Sequence, residues 1–183
     1  MAKPTAELVE DHLIVWNPEE GEQLYRLGYY GKPLGVSKPH PGDFVNPVVL
    51  DLIEGLYLLE GKAIRVHGQD GKSVSKRMLL ARARSVYQHF DYDYLVYRNL
   101  RERGKVVLPG IKFGCEFAVY DQGPGIDHAP YLISVRTGEE CVTSADIVRA
   151  GRLATTVRKR FIVAVPDVKA SLVQYLMFDW FRA

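Results

Sequence analysis

Apolar and polar positions along the chain change period several times, and each change marks an element. His12 to Trp16 reads as a short apolar strand. Asn17 then reads as an N-cap, Pro18 as the first helical residue, and Glu20 stands at the capping-box position. The helix that follows carries Leu24 and Leu27 on one face and stops at Gly28. GYYGKPLGVSKPHPGDF is too broken by glycine and proline for regular structure. Asn46–Pro47 repeats the cap-then-proline signal, and Val48, Leu52, Leu56 and Leu59 fall at helical spacing, which predicts a second helix. Ala63 to His67 predicts a strand and GQDGKS a turn. From Ser75 to about His89 the pattern is basic and amphipathic, with Met78, Ala81 and Val86 placed to face inward and Lys76, Arg77, Arg82 and Arg84 to stay wet.

The pattern breaks near His89–Asp91, which divides the chain into domains 1–88 and 89–183. Beyond the break, Asp91 caps a helix whose Tyr92, Leu95, Val96 and Leu100 share a face, and Gly104 supplies its left-handed stop. Lys112–Tyr120 alternates as a strand, with Phe113, Cys115, Phe117 and Val119 on the packed face and Glu116 and Tyr120 on the other. Tyr131–Val135 is the next strand. Thr143 caps a helix with Ile147, Ala150, Ala154 and Val157 as its buried stripe. Phe161–Val165 is apolar on both faces, as a covered central strand would be, and Leu172–Phe178 is a last β-prone run. Strands bracketing helices predict an α/β (α+β) protein: a small mixed N-terminal domain, then a C-terminal domain with a central mixed sheet flanked by helices.

Composition adds boundaries. No apolar run approaches the roughly 20 residues of a membrane span, and the start MAKPTAELVEDH lacks a signal-peptide core, so a cytoplasmic protein with no membrane partner is expected. Cys115 and Cys141 are the only cysteines, and without a CxxC or Cys/His cluster a structural zinc site is not expected. Charge is segregated: residues 1–60 carry 4 basic and 10 acidic side chains, whereas residues 61–113 carry 12 basic and 4 acidic. That asymmetry suits a basic surface for a polyanion, though it equally describes a solvated face.

Three side chains of the second half can form a site without metal: Tyr120 closing a strand, His128 in the GPGIDHAP loop, and Lys159 ending a helix. A phenol, an imidazole and an ammonium suit a reaction that takes one proton, gives another and stabilises negative charge between. Arg152 and Lys159 stand two helical turns apart, so a helix reaching Lys159 would align them with Thr156 between. Each has a plainer reading: a loop histidine open to solvent, a wet strand-end tyrosine, or basic residues complementing a helix dipole.

The surroundings narrow this. FGCEFAVY, then DHAPYLISV, then RLATTVRKRFIVAV resembles the catalytic half of the archaeal tRNA-splicing endonucleases, whose pattern is roughly KFGxDFxVY, a loop, HxxYLV, and RxAxxVRK before an apolar strand. The likeness is dense over residues 104–165 and continues loosely through GYYGKPLG and LDLIEGLYLLE. It implies a nuclease-like C-terminal domain with Tyr120, His128 and Lys159 as catalytic residues, no cofactor, and precursor tRNA with a bulge–helix–bulge junction as substrate. It also implies Arg152, and more loosely Arg182, as guanidinium groups that sandwich a flipped base. The Gly31–Phe44 stretch, with Lys38, resembles the RNA-contacting loop of two-subunit members. Pairing through the last strand would join two copies. Family members tether the two halves of the tetramer by an acidic loop, but here that loop is PDVKAS, with Asp167 its only carboxylate. A second, non-catalytic subunit supplying the acidic loop in a two-plus-two heterotetramer is therefore expected. The alternatives are a metal-dependent nuclease, for which Glu116 and Asp121 lack a following E-x-K, and a non-catalytic RNA-binding subunit, which in this family generally lacks the Tyr/His/Lys set.

Overall fold

The computed structural model describes residues 3–36, 39–40, 42–126, 129–157 and 159–178, and the chain divides into two compact units, 1–90 and 91–183. The first unit is built on a mixed sheet. Strands β1 (Thr5–Val9) and β2 (His12–Val15) form a hairpin whose turn puts Glu10 at φ 50°. In α1 (Pro18–Gly28) the Asn17 side chain accepts the Glu19 N–H at 2.9 Å, as an N-cap should. Glu20 does not close a capping box. Its carboxylate accepts the Thr5 N–H at 2.8 Å and ties the helix to β1. Leu24 is buried, but Leu27 is exposed, so the expected two-leucine face is only half used.

After β3 (Lys32–Pro33) comes β4 (Val48–Asp51), where a helix was expected. Val48, Val49 and Leu50 pair with Val15, Ile14 and Leu13 of β2, and the ladder overrides the helical spacing. The helix α2 (Leu52–Glu60) starts one element later, with Asp51 as N-cap and Glu54 completing a capping box. β5 (Arg65–Gly68) adds parallel to β1, giving the order β3-β4-β2-β1-β5. In α3 (Lys76–Val86) Leu79 and Ala83 are buried, whereas Met78, Ala81 and Val86 are exposed. The inward face is thus turned about one residue from the expected one, because α3 packs against α2.

Helix α4 (Phe90–Glu102) leads into the second unit, and Asp91, expected as its cap, instead lies within its first turn; β6 (Val106–Pro109) follows. The strand expected over Lys112–Tyr120 is only β7 (Phe117–Tyr120); Ile111–Phe113 is a 3-10 turn closed by Gly114 at φ 67°. Then follow β8 (Tyr131–Val135), α5 (Ser144–Val157), β9 (Arg160–Asp167) and β10 (Leu172–Phe178). The sheet order is β10-β9-β8-β7-β6, antiparallel except for β8–β9, whose parallel pairing requires the α5 crossover. Both faces of β7 are packed, so Tyr120 does not point away from the core as the alternation implied. Phe117 meets Tyr97 of α4, ring centroids 5.9 Å apart, while Ala118 joins Cys115, Ala129 and Leu132 in a cluster against which Phe113, Tyr120 and Phe161 pack. The mixed α/β class of the chain stands as expected. No described helix is long and apolar enough to cross a membrane.

Candidate active site

Strand direction gathers the site. β7 runs antiparallel to β8 and β8 parallel to β9, so the end of β7 and the starts of β8 and β9 lie at one end of the sheet. Val119, Tyr131 and Arg160 form one register row, and Tyr120, Pro130 and Lys159 stand just beyond it. The Arg160 N–H donates to the Pro130 carbonyl at 2.8 Å, extending the ladder to this point.

Tyr120 is half-buried, its ring held by the Cys115–Ala118–Ala129–Leu132 cluster. Lys159 is also half-buried. Its Nζ donates to the Ala129 carbonyl at 2.5 Å and lies 5.4 Å from the centroid of the Phe113 ring. Ala129 thus links the two, belonging to the cluster that holds the tyrosine and bonded to the lysine through its backbone carbonyl. His128 immediately precedes it but lies outside the described residues, as do Lys38 and Arg182.

Lys159 does not end a helix. α5 stops at Val157, and Lys159 belongs to the approach to β9, where pairing with the Pro130 segment draws the backbone into extended form. The shared helical line of Arg152 and Lys159 is accordingly absent. Arg152 is an exposed residue of α5, while Lys159 lies beyond the helix. The helix does begin at the expected cap, with Thr143 Oγ1 accepting the Asp146 N–H at 3.2 Å, but Ile147 of the expected buried stripe is 42% exposed.

Sequence reasoning missed three members of this end of the sheet. Phe113 and the Ala129 carbonyl hold the lysine, and Lys105 forms a 2.6 Å ion pair with Asp121, the residue after Tyr120. The hydrogen bond to Asp121 raises the Lys105 ammonium above its ordinary pKa despite some desolvation. The pairing of Val106 with Tyr120 puts Lys105 and Asp121 at matching positions, so a recognised β6 strand would have brought them together. Glu116, the other carboxylate near β7, accepts the Val135 N–H at 2.9 Å and sits 3.9 Å from Arg136 Nη1, a bracing role at the far end of the strand. Among the described residues no three His, Cys, Asp or Glu side chains gather closely enough to hold a metal ion.

Comparison with known proteins finds likeness along both halves of the chain. The tRNA intron endonuclease catalytic C-terminal domain matches residues 90–175, and the N-terminal domain of the same endonucleases matches residues 5–80. A tRNA-splicing endonuclease from Hyperthermus butylicus is 44% identical over 91% of this chain and 92% of its own length. Those of Saccharolobus islandicus and Sulfurisphaera tokodaii are each 37% identical over 96% of this chain, covering 97% and 98% of their own lengths. Two matched domains and end-to-end likeness to such relatives establish that the chain belongs to the tRNA-splicing endonuclease family, a family of enzymes.

Proposed function

We propose that this chain excises introns from precursor tRNA by cutting bulge–helix–bulge junctions through attack of the ribose 2′-OH on the adjacent phosphorus. The bond from phosphorus to the 5′-oxygen breaks, leaving a 2′,3′-cyclic phosphate and a 5′-OH. Tyr120 takes the 2′-proton, His128 protonates the leaving oxygen, and Lys159 stabilises the charge that builds on the phosphoryl oxygens. The observation that carries this reading is the meeting of Tyr120, the Ala129 segment that follows His128, and Lys159 at one end of one sheet. A free phenol loses its proton near pH 10, and a cation at the same end of the sheet favours the phenolate. The nucleophile belongs to the substrate, so the reaction needs no metal-activated water.

Domain 89–183 carries this chemistry in the proposal and domain 1–88 supports it. Arg152 and Arg182 stack on a flipped base, a task for planar guanidinium groups, and Lys38 contacts RNA. Two copies pair through β10, and a second, non-catalytic subunit completes a two-plus-two tetramer. Support for the pairing comes from β10 itself: a seven-residue edge strand without proline, exposing Leu172, Leu176 and Met177.

The test is cleavage of a precursor tRNA in excess chelator with both product ends mapped. Cyclic-phosphate and 5′-OH ends are expected, and His128→Ala should slow the chemical step by roughly 10²–10⁴ while RNA binding persists. Dependence on added metal, 3′-OH ends, or wild-type cleavage by the alanine variant would overturn the reading.

A further inference from the structure

Lys159 is half-buried, and taking its ammonium out of water would disfavour the charged form unless protein groups replace the lost solvation. Two described groups do so. The Ala129 carbonyl accepts one of its protons, and the ring of Phe113 lies 5.4 Å from it, within the range over which an aromatic quadrupole attracts a cation.

The placement of that ring is built in. Phe113 closes the 3-10 turn that follows β6, its N–H donating to Gly110 at 2.8 Å, with Gly114 in the left-handed region. Gly110 in turn donates to the Glu116 carbonyl at 2.8 Å, and a Cβ there would lie 2.6 Å from Cys115 Sγ and 2.8 Å from the Cys115 carbonyl oxygen. The turn is thus pinned at both ends. The ring itself packs against the same Cys115–Ala118–Ala129–Leu132 cluster that holds Tyr120.

We infer that Phe113 is a positioning residue for RNA cleavage, its ring and the Ala129 carbonyl together holding Lys159 charged and aimed at the reacting phosphate. This rests on the role given to Lys159 above. Because the carbonyl belongs to the residue after His128, the same clamp fixes one end of the histidine's loop to the lysine.

Fluorination separates the electrostatic role from packing, since it weakens the ring's attraction for a cation with little change in shape. Phe113 is replaced in the full chain by its mono-, di- and trifluoro analogues, and by Tyr, Trp and Leu. The Lys159 titration is followed by NMR on the chain itself, and single-turnover cleavage on the active assembly. The Lys159 pKa should fall stepwise with fluorination. The cleavage rate should fall in the same order by roughly 3–30-fold at trifluoro-phenylalanine, with RNA affinity unchanged. Tyr and Trp should retain the rate and Leu should lose it. A flat titration and flat rate across the fluorinated series would show that Phe113 merely packs, and would overturn the inference. Lys159→Ala serves as the control: wild-type cleavage by that variant refutes the role of Lys159, whereas its failure alongside a flat fluorinated series refutes only the role of Phe113.

Discussion

Cys115 and Cys141 differ in environment rather than in chemistry. Cys115 lies beneath the candidate site, 6% exposed, with its Sγ 3.5 Å from the carbonyl oxygens of Gly110 and Phe117. Burial is the main cause that pushes its thiol up to about 11 from an ordinary 9.0, and nearby Glu116 adds to it. The group keeps its proton in the folded chain after the unfolded thiol has lost it. Its contribution to stability is therefore complete below the ordinary thiol value and is lost as pH rises from there through about 11. Cys141 is exposed. At pH 8 a thiol reagent should modify Cys141 quickly and leave Cys115 intact until denaturant is added. Two fast equivalents in the native protein would contradict the burial of Cys115.

Among the elements, α2 is held by its closeness to β2. A Cβ at Gly55 would fall 2.0 Å from Leu13 Cδ1, and Leu13 is fully buried, so its side chain has nowhere to retreat. Helix propensity alone would favour Gly55→Ala by about 1 kcal/mol. Overpacking of a closed core costs about 1–3 kcal/mol or more, and with contact this short it should win. The expected result is a net loss of roughly 1–2 kcal/mol, read as a lower urea midpoint with an unchanged slope. A variant as stable as the parent would mean that α2 can slide on the sheet.

At the scale of the whole molecule, the proposed assembly turns on the loop before β10. Asp167 Oδ1 accepts the N–H groups of Lys169 and Ala170 at 2.9 and 3.0 Å, so the loop's one carboxylate is occupied in its own turn, with Lys169 beside it. Such a loop makes a poor acidic tether, while the exposed edge of β10 remains suited to pairing. The isolated chain should then be a homodimer by light scattering, with little cleavage activity, and should become active when a related non-catalytic subunit is added. A fully active homotetramer of this chain alone would refute that arrangement.

Caps and turns were legible along the chain because their hydrogen bonds close within a few residues. Asn17 and Thr143 each accept the N–H expected of a helix start, whereas a strand follows Asn46–Pro47 and Asp91 lies inside its helix. β8 and β10 also stand where their apolar runs put them. The motifs around Tyr120, His128 and Lys159 carried the family resemblance without any fold. What local pattern left open, tertiary pairing decided. Val48 stands at helical spacing with Leu52 but lies in a strand because β2 offers a ladder, and α3 turns Leu79 rather than Met78 inward because α2 is its partner. Lys159 leaves the helix because β9 must pair beside Pro130, and that displacement is what brings it to Ala129 and Phe113. A 3.6-residue period states which residues share a face, but the partner surface selects among faces and ends the element. Those partners lie far away in sequence, so contacts such as Lys105–Asp121 and Lys159–Phe113 exist only once the sheet has closed.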